Sequence, residues 1–331
     1  MEIRFPVYYE KFRCIAAACP DSCCKEWAVD VDDKSAAFYR QLPGTLGDRL
    51  REVLVDTGDG TIMQIENGRC PMWQQDGLCR IQSELGHDAL CKTCRDFPRL
   101  QHDYGDFMEL GLELSCPEAA RLILTNTDHI TITRDLPDCE APEYDTQLME
   151  ILLQSRKQAL DLLDNDCYTL PEKLAILLIH AHTVQSQIDG DEAIPFAPEN
   201  LLATAHKCAN TGDMDSIFAF FRSLEILTPQ WAKRLENPPA APIWSAPLTE
   251  FARYLVMRYW LQAVSDFDLV CRAKLVVIAC LLVSALGGDV IQTAQQFSKE
   301  IENDPDNLEA IFDQVYSSAA LTDTNLISLL L

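Results

Sequence analysis

Cysteine is the residue whose number and spacing most constrain the chemistry open to this chain. The 331 residues hold 14 of them, and nine fall between positions 14 and 116: Cys14, Cys19, Cys23, Cys24, Cys70, Cys79, Cys91, Cys94 and Cys116. They read C-x4-C-x3-C-C, then C-x8-C-x11-C-x2-C, then Cys116. Thiols this close on one segment reach a common centre at little loop-closure cost per ligand. Cys19, Cys70 and Cys116 each precede a proline, which stiffens the turn, and Cys-Pro also occurs in bacterial ferredoxin motifs. Zinc commonly takes paired C-x2-C knuckles, and only Cys91–Cys94 has that spacing. An iron–sulfur cluster accepts looser spacings from distant segments. Ligand preference therefore ranks an iron–sulfur cluster first, zinc second, and free or disulfide-bonded thiols third. The adjacent Cys23 and Cys24 point in different directions, so either the backbone turns there or they serve different centres. The C-x3-C-x2-C pattern of radical S-adenosylmethionine enzymes fails, because Cys19-x3-Cys23 is followed by Glu26 where a third cysteine is needed. Cys139, Cys167, Cys208, Cys271 and Cys280 are scattered through helical patterns, and Cys271 and Cys280 read as small core residues.

Other chemistry is sparse. His180 and His182 are two apart on a helical pattern and so face different directions. His102 follows the cysteines and reads as an exposed loop histidine before it reads as a ligand. No G-x-G-x-x-G, P-loop or G-x-S-x-G motif occurs. Tyr8, Tyr9, Phe12, Trp27, Trp73 and Phe97 crowd the cysteine segment. They serve either as packing that excludes solvent or as an aromatic wall for a lysine or a methylsulfonium group. Asp30, Asp32 and Asp33 either cap a helix near Lys34 or receive a lysine ammonium.

The elements that must position these residues change character along the chain. Residues 35–55 read as helix interrupted at Pro43-Gly44, 61–66 as a short strand, and 81–90 as a short helix broken at Gly86. Residues 107–114 alternate as a strand, Cys116-Pro117-Glu118 opens a helix, and 129–134 read as a strand. From 144 onward nearly everything is helical, at 146–163, 170–188, 200–209, 213–227, 248–264, 268–286, 289–303, 307–317 and the C-terminus. Residues 229–247 carry five prolines and read as a loop. The fold class expected is mainly α, with a small α+β, cysteine-rich N-terminal part and a helical C-terminal half. The domains expected are 1–135, binding a metal or iron–sulfur cluster, and 136–331, all-helical.

Composition narrows the partners. There are 27 Lys and Arg against 51 Asp and Glu, giving a net charge of −24. That disfavours nucleic acid, whose phosphates need cations, and anionic membrane surfaces. The start lacks the apolar core of a signal peptide, and the longest strongly apolar stretch, 275–286, is short for a membrane span. A cytoplasmic protein is expected, where structural disulfides are uncommon and many thiols point to metal or redox chemistry.

Five blocks carry a resemblance. They are Tyr8-Tyr9-Glu10-Lys11-Phe12-Arg13-Cys14 running on to Cys19-Pro20-Asp21-Ser22-Cys23-Cys24-Lys25-Glu26-Trp27; Cys70-Pro71; Gly77-Leu78-Cys79-Arg80-Ile81-Gln82 with Glu84-Leu85-Gly86; Cys94-Arg95-Asp96-Phe97-Pro98-Arg99; and Leu114-Ser115-Cys116-Pro117-Glu118. The pattern over residues 8–118 resembles the flagellin lysine-N-methylase family. It is also similar to a broader group of zinc- or iron-chelating proteins. The resemblance implies S-adenosylmethionine-dependent methylation of lysine side chains on flagellin or another lysine-bearing protein, with a [4Fe–4S] cluster, or alternatively zinc, held by the cysteine blocks. It implies Cys14, Cys19, Cys23, Cys24, Cys70, Cys79, Cys94 and Cys116 as the metal-site set. Cys91 ranks lower because the family pattern leads one to expect serine there. Eight thiols exceed the four that one [4Fe–4S] cluster needs, so some are structural or there are two centres. The alternatives are a non-catalytic zinc- or iron-binding module and an iron–sulfur redox protein.

Overall fold

The computed structural model describes residues 2–25, 27–135, 143–236, 238 and 242–331. The N-terminal part runs β1 (Glu2–Pro6), β2 (Val29–Val31), α1 (Asp33–Gln41), α2 (Gly44–Val53), β3 (Leu54–Asp56), β4 (Thr61–Met63), α3 (Arg80–Leu85), α4 (Lys92–Asp96), β5 (Arg99–Asp103), β6 (Phe107–Leu112), α5 (Pro117–Leu124) and β7 (Thr131–Asp135). The break between α1 and α2 follows from Pro43, which disfavours the helical conformation of Leu42 before it. Asp32 caps α1 by accepting from the Ser35 N–H at 3.0 Å.

Two small sheets form among the described residues. The first is antiparallel, in the order β2-β4-β3, with Met63 opposite both Val29 and Leu54. The second has the order β5-β6-β1-β7. In it β1 pairs β6 in parallel, with Ile3 opposite Met108, and β7 in antiparallel. The first strand is thus an inner strand, and the connection from Val7 to Pro98, which leads to β5 at the sheet's edge, carries most of the cysteines.

The helical part runs α6 (Thr146–Leu163), α7 (Leu170–Ile188), α8 (Pro198–Cys208), α9 (Met214–Ser223), α10 (Pro229–Glu236), α11 (Ala246–Tyr259), α12 (Leu269–Leu286), α13 (Val290–Phe297), α14 (Pro305–Gln314) and α15 (Asp323–Leu330). The expected loop over 229–247 is corrected at its start. Pro229 opens α10, where its missing N–H costs nothing, and Trp231 and Leu235, one turn apart, are buried. The apolar stretch at 275–286 belongs to the 18-residue α12, long and apolar enough to cross a bilayer. Its whole length is buried inside the fold, as in a core helix. Buried Lys274 on it is satisfied by the carbonyls of Val315 and Leu321 at 2.7 and 3.1 Å and by Asp323 at 3.1 Å.

The described residues form two apolar cores. The smaller is built from Val29, Val31, Tyr39, Leu50, Val53 and Met63, together with Cys70 and Cys91. The larger joins the C-terminal helices to Phe107 and Leu112 of β6 and to Ala119, Ala120, Ile123 and Leu124 of α5. Strand β6 and helix α5 thus share a core with the helical half. The expected domain boundary near 136, and Cys139, lie outside the described residues. Helix α13 passes into a single π-helical turn, Ser298–Glu302. It buries Glu300 and Glu302 while Lys299 and the following Asn303 face the cysteines.

Candidate functional site

The cysteine segments enclose a cavity of about 360 Å³. Cys14, Cys19, Cys23, Cys24, Cys79, Cys94 and Cys116 line it, and Leu227, Lys299 and Asn303 close it from the helical half. Cys70 and Cys91 sit behind the wall, buried in the smaller core. Gly77 touches the opposite loop. Its φ is +82°, and a Cβ there would lie 3.2 Å from the Ala17 Cα, so only glycine fits without strain.

Local folding sets each sulfur. Cys79, Cys91 and Cys116 are the residues preceding α3, α4 and α5, so their thiols face first-turn N–H groups. Burial pushes the Cys116 thiol up to about 11, against the N–H groups of Ala119 and Glu118. Burial also raises Cys79, against the N–H of Gln82. Cys24 lies against Cys23 and Cys70, its carbonyl accepting from the Cys70 N–H at 2.8 Å, and these neighbouring thiols push the Cys24 thiol down. The interaction with Cys24, together with burial, pushes Cys23 and Cys70 up. The neighbouring Cys94 thiol pushes Cys91 down, and Cys94 rises in turn. Burial raises Cys19, whose Sγ donates to the Asp21 carbonyl at 3.2 Å. Among the described residues, no three His, Cys, Asp or Glu side chains converge closely enough to hold a metal ion as they stand.

Asp21 ties the cysteine loop to the helical half. It pairs with Lys25 at 2.7 Å and Lys299 at 3.2 Å and accepts from the Gln295 amide at 3.0 Å. Gln295 also donates to the Ser115 carbonyl at 2.7 Å, beside Cys116. Burial opposes ionisation of Asp21, but its bonds to Lys25, Lys299 and Gln295 outweigh that and hold it below the usual carboxylate range. On the same wall the Trp27 indole donates to the Cys23 carbonyl at 2.7 Å and meets the Phe97 ring edge-on, 6.0 Å between centroids.

The sequence-predicted residues divide as follows. Of the eight cysteines in the implied set, seven line the cavity, and Cys70 sits behind it, its N–H donating to the Cys24 carbonyl at 2.8 Å and its thiol facing the Met63 sulfur at 3.4 Å. Cys91, ranked lower, is buried in the smaller core just before α4, which carries Cys94. Phe12, Trp27 and Phe97 line the cavity, whereas the Trp73 ring lies under the Arg69 guanidinium at 4.0 Å. His102 is neither a loop residue nor near the thiols. It lies on β5 and lines a second, smaller cavity with Tyr8, where burial lowers its pKa. Asp32 is a cap, with its second oxygen accepting from the Lys92 N–H at 2.8 Å. Cys271 and Cys280 are core residues. His87, Lys299 and Asn303 are wall residues that no motif announced.

Three curated relatives share sequence with the chain. Over 140 residues it is 31% identical to the flagellar biosynthetic protein FliU of Salmonella muenchen, a match covering 38% of this chain and 79% of that protein. Over 135 residues it is 31% identical to the lysine-N-methylases of Salmonella typhimurium and Salmonella choleraesuis, covering 39% of this chain and 34% of each of those. The match thus spans about a third of the length of the two methylases. No protein-family model matches the chain, and no solved structure does.

Proposed function

The chain belongs to the flagellin lysine-N-methylase family, and from that membership we propose that it methylates lysine side chains of flagellin, with S-adenosylmethionine as donor and an iron–sulfur cluster in the cysteine-lined cavity. The observation that carries the reading is the convergence of seven thiols from four separated segments on one space of about 360 Å³. The donor set fits a cluster. Soft thiolates are its usual ligands, and here they outnumber His87, Asp21 and Glu118, the other metal-ligating side chains on the wall. The wall cysteines would hold it, with Cys70 available behind Cys24. Bound there, a cluster supplies a charged scaffold that fixes the surrounding loops.

The chain's own residues suit the rest of the reaction. Asp21 is ionised near neutral pH and already engages two ammonium groups, which suits it to receive the incoming lysine. Trp27 and Phe97 offer ring faces to a sulfonium. The lysine ammonium drawn in by Asp21 first releases one proton to solvent; the neutral amine nitrogen then forms an N–C bond as the donor's S–C bond breaks, leaving S-adenosylhomocysteine and a methylammonium that carries the positive charge. Apolar burial favours the neutral amine that this step needs. The net charge of −24 steers a lysine-bearing substrate inward.

A second reading, a metal-binding module without catalysis, is favoured by the match covering only 34% of each methylase. Two measurements on anaerobically purified protein separate the readings. About four iron and four acid-labile sulfide per chain, with brown visible absorbance, are expected for a [4Fe–4S] protein. Stoichiometric zinc without sulfide contradicts the cluster. Calorimetry should show S-adenosylmethionine binding for the methylase and none for the module.

A further inference from the structure

Apart from the cysteine-lined space, the fold holds the second cavity, of about 110 Å³, that His102 and Tyr8 line. One wall comes from the sheet β5-β6-β1-β7 and the facing wall from α11, which contributes Glu250, Arg253, Tyr254, Met257 and Arg258. We infer that this cavity is a binding site for an uncharged heterocycle of nucleobase size. The inference stands apart from the metal and methyl-transfer readings.

Space is the first support. A water needs about 10–15 Å³ of such volume and an apolar cavity of about 150 Å³ takes benzene, so this one has room for a ring. Gly111 of β6 lines it, opposite Leu100 of β5. Within 4 Å, a Cβ on Gly111 would meet only the Leu100 Cβ, at 3.9 Å. The missing side chain therefore leaves open space and relieves no clash. Glycine weakens a strand interior and often marks a place where another group comes close. The remaining lining is largely apolar, with Leu100, Leu110, Leu112, Ile123, Leu160 and Met257, which suits the faces of a ring.

Unmet polar atoms are the second support. The His102 Nε2 and the Arg253 Nε are enclosed and lack a hydrogen-bond partner among the described residues. Buried polar atoms are costly when unpaired, and a ligand with polar edges in the cavity would pair both. Arg253 offers an N–H. Burial and the nearby Arg258 lower the pKa of His102, so its ring is neutral and offers an N–H at one nitrogen and a lone pair at the other. A heterocycle presents acceptors and donors on its edge to match.

Charge argues against an ion. The guanidiniums lining the cavity are Arg4, Arg253 and Arg258, and the carboxylates are Glu109, Glu250 and Asp128. Each guanidinium already has a carboxylate: Arg4 has Glu2, Arg253 has Asp164 and Glu250, the latter at 3.4 Å, and Arg258 has Glu302 at 3.3 Å. Glu109 is held by Arg156. An anion would enter with no spare cation, and a cation would meet the guanidiniums, so a neutral ligand avoids a desolvation cost that either ion would bear.

The test is calorimetric titration of the full chain with adenine, and with benzoate as an anionic ring, repeated on His102→Leu and Gly111→Val. Neither change should impair folding, which melting curves check. The first replaces an unpaired polar group by an apolar one, and the second fills open space with a strand-favouring side chain. The proposal expects saturable adenine binding in the parent, weakened at least about tenfold in each folded variant through a lost hydrogen bond or lost space. Either variant alone decides if the other fails to fold. Absence of adenine binding to the folded parent, as when the cavity holds water alone, overturns the proposal. Benzoate binding in preference to adenine overturns it too. Adenine binding of equal strength in the parent and the folded variants puts the ligand elsewhere and likewise overturns it.

Discussion

Asp21 is the residue at which the thiol loop, the helical half and the proposed substrate meet. Its partners Lys25 and Lys299 are partly exposed, so Asp21→Asn should cost no more than about 1 kcal/mol of stability. If it receives the substrate ammonium, KM for flagellin should rise about tenfold, equivalent to about 1.4 kcal/mol, with melting temperature little changed. Equal losses in stability and activity would make Asp21 a purely structural tie. His180 sets a different prediction. It is buried, its Nε2 has no hydrogen-bond partner, and burial lowers its pKa to about 4 despite a bond to the Ser155 carbonyl. Above pH 6.5 both folded and unfolded states hold it neutral. As pH falls from 6.5 to about 4 the unfolded state takes up a proton that the folded state refuses, so stability is lost across that window, by about 3 kcal/mol in all. His180→Leu should flatten the acid slope of urea stability relative to the parent, and an unchanged slope would contradict the assignment. The cysteines were legible in sequence because the residue type is itself diagnostic. Lys299 and Gln295 were not, because they reach the cavity from the far end of the chain, where no spacing connects them to Cys19 or Cys116.

Among the elements, the joint between β6 and α6 carries a buried ion pair. Arg156 donates to both carboxylate oxygens of Glu109, at 2.7 and 2.5 Å, and both side chains are about nine-tenths buried. Arg156→Met leaves Glu109 charged and unpaired and should cost about 3–5 kcal/mol in urea unfolding, whereas Arg156→Met with Glu109→Leu should recover most of it. A double variant no better than the single would mean that shape, rather than charge, holds the joint. Helix α10 supplies a second check. Trp231→Ala removes a fully buried ring that packs near Phe297, with centroids 6.4 Å apart, and should cost about 3–5 kcal/mol. A loop, as the five prolines suggested, would lose far less. The long helices α6 and α7 were legible to their ends because periodicity, the Asp145 cap and the Thr169–Glu172 capping box agree. Strands β1, β2, β3 and β5 were missed while β4 and β7, of the same three to five residues, were read, because so few alternations do not decide either way. Their pairing is also decided by partners distant in sequence.

For the whole molecule, the sequence separated a cysteine-rich part from a helical part, while packing groups the residues differently. Cys70 and Cys91 anchor the smaller core, and β6 and α5 join the helices across the region of residue 135. Hydropathy along the chain could not show this, because α5 is amphipathic whichever core receives it. The cavity lies where the groupings meet and takes wall residues from both, so metal loading and docking of the helical half should be coupled. Chelation should then lower the melting temperature of the full chain as well as bleach it. The excess of acid over base, −24, should appear as salt-weakened association with a basic partner. The most direct test of the central claim is intact-mass analysis of unmethylated flagellin incubated with the anaerobically prepared, metal-loaded chain and S-adenosylmethionine. The account predicts mass increments of whole methyl groups that map to lysines and vanish without the donor. Flagellin of unchanged mass, with a folded and metal-loaded chain, would contradict it and leave a metal-binding module in its place.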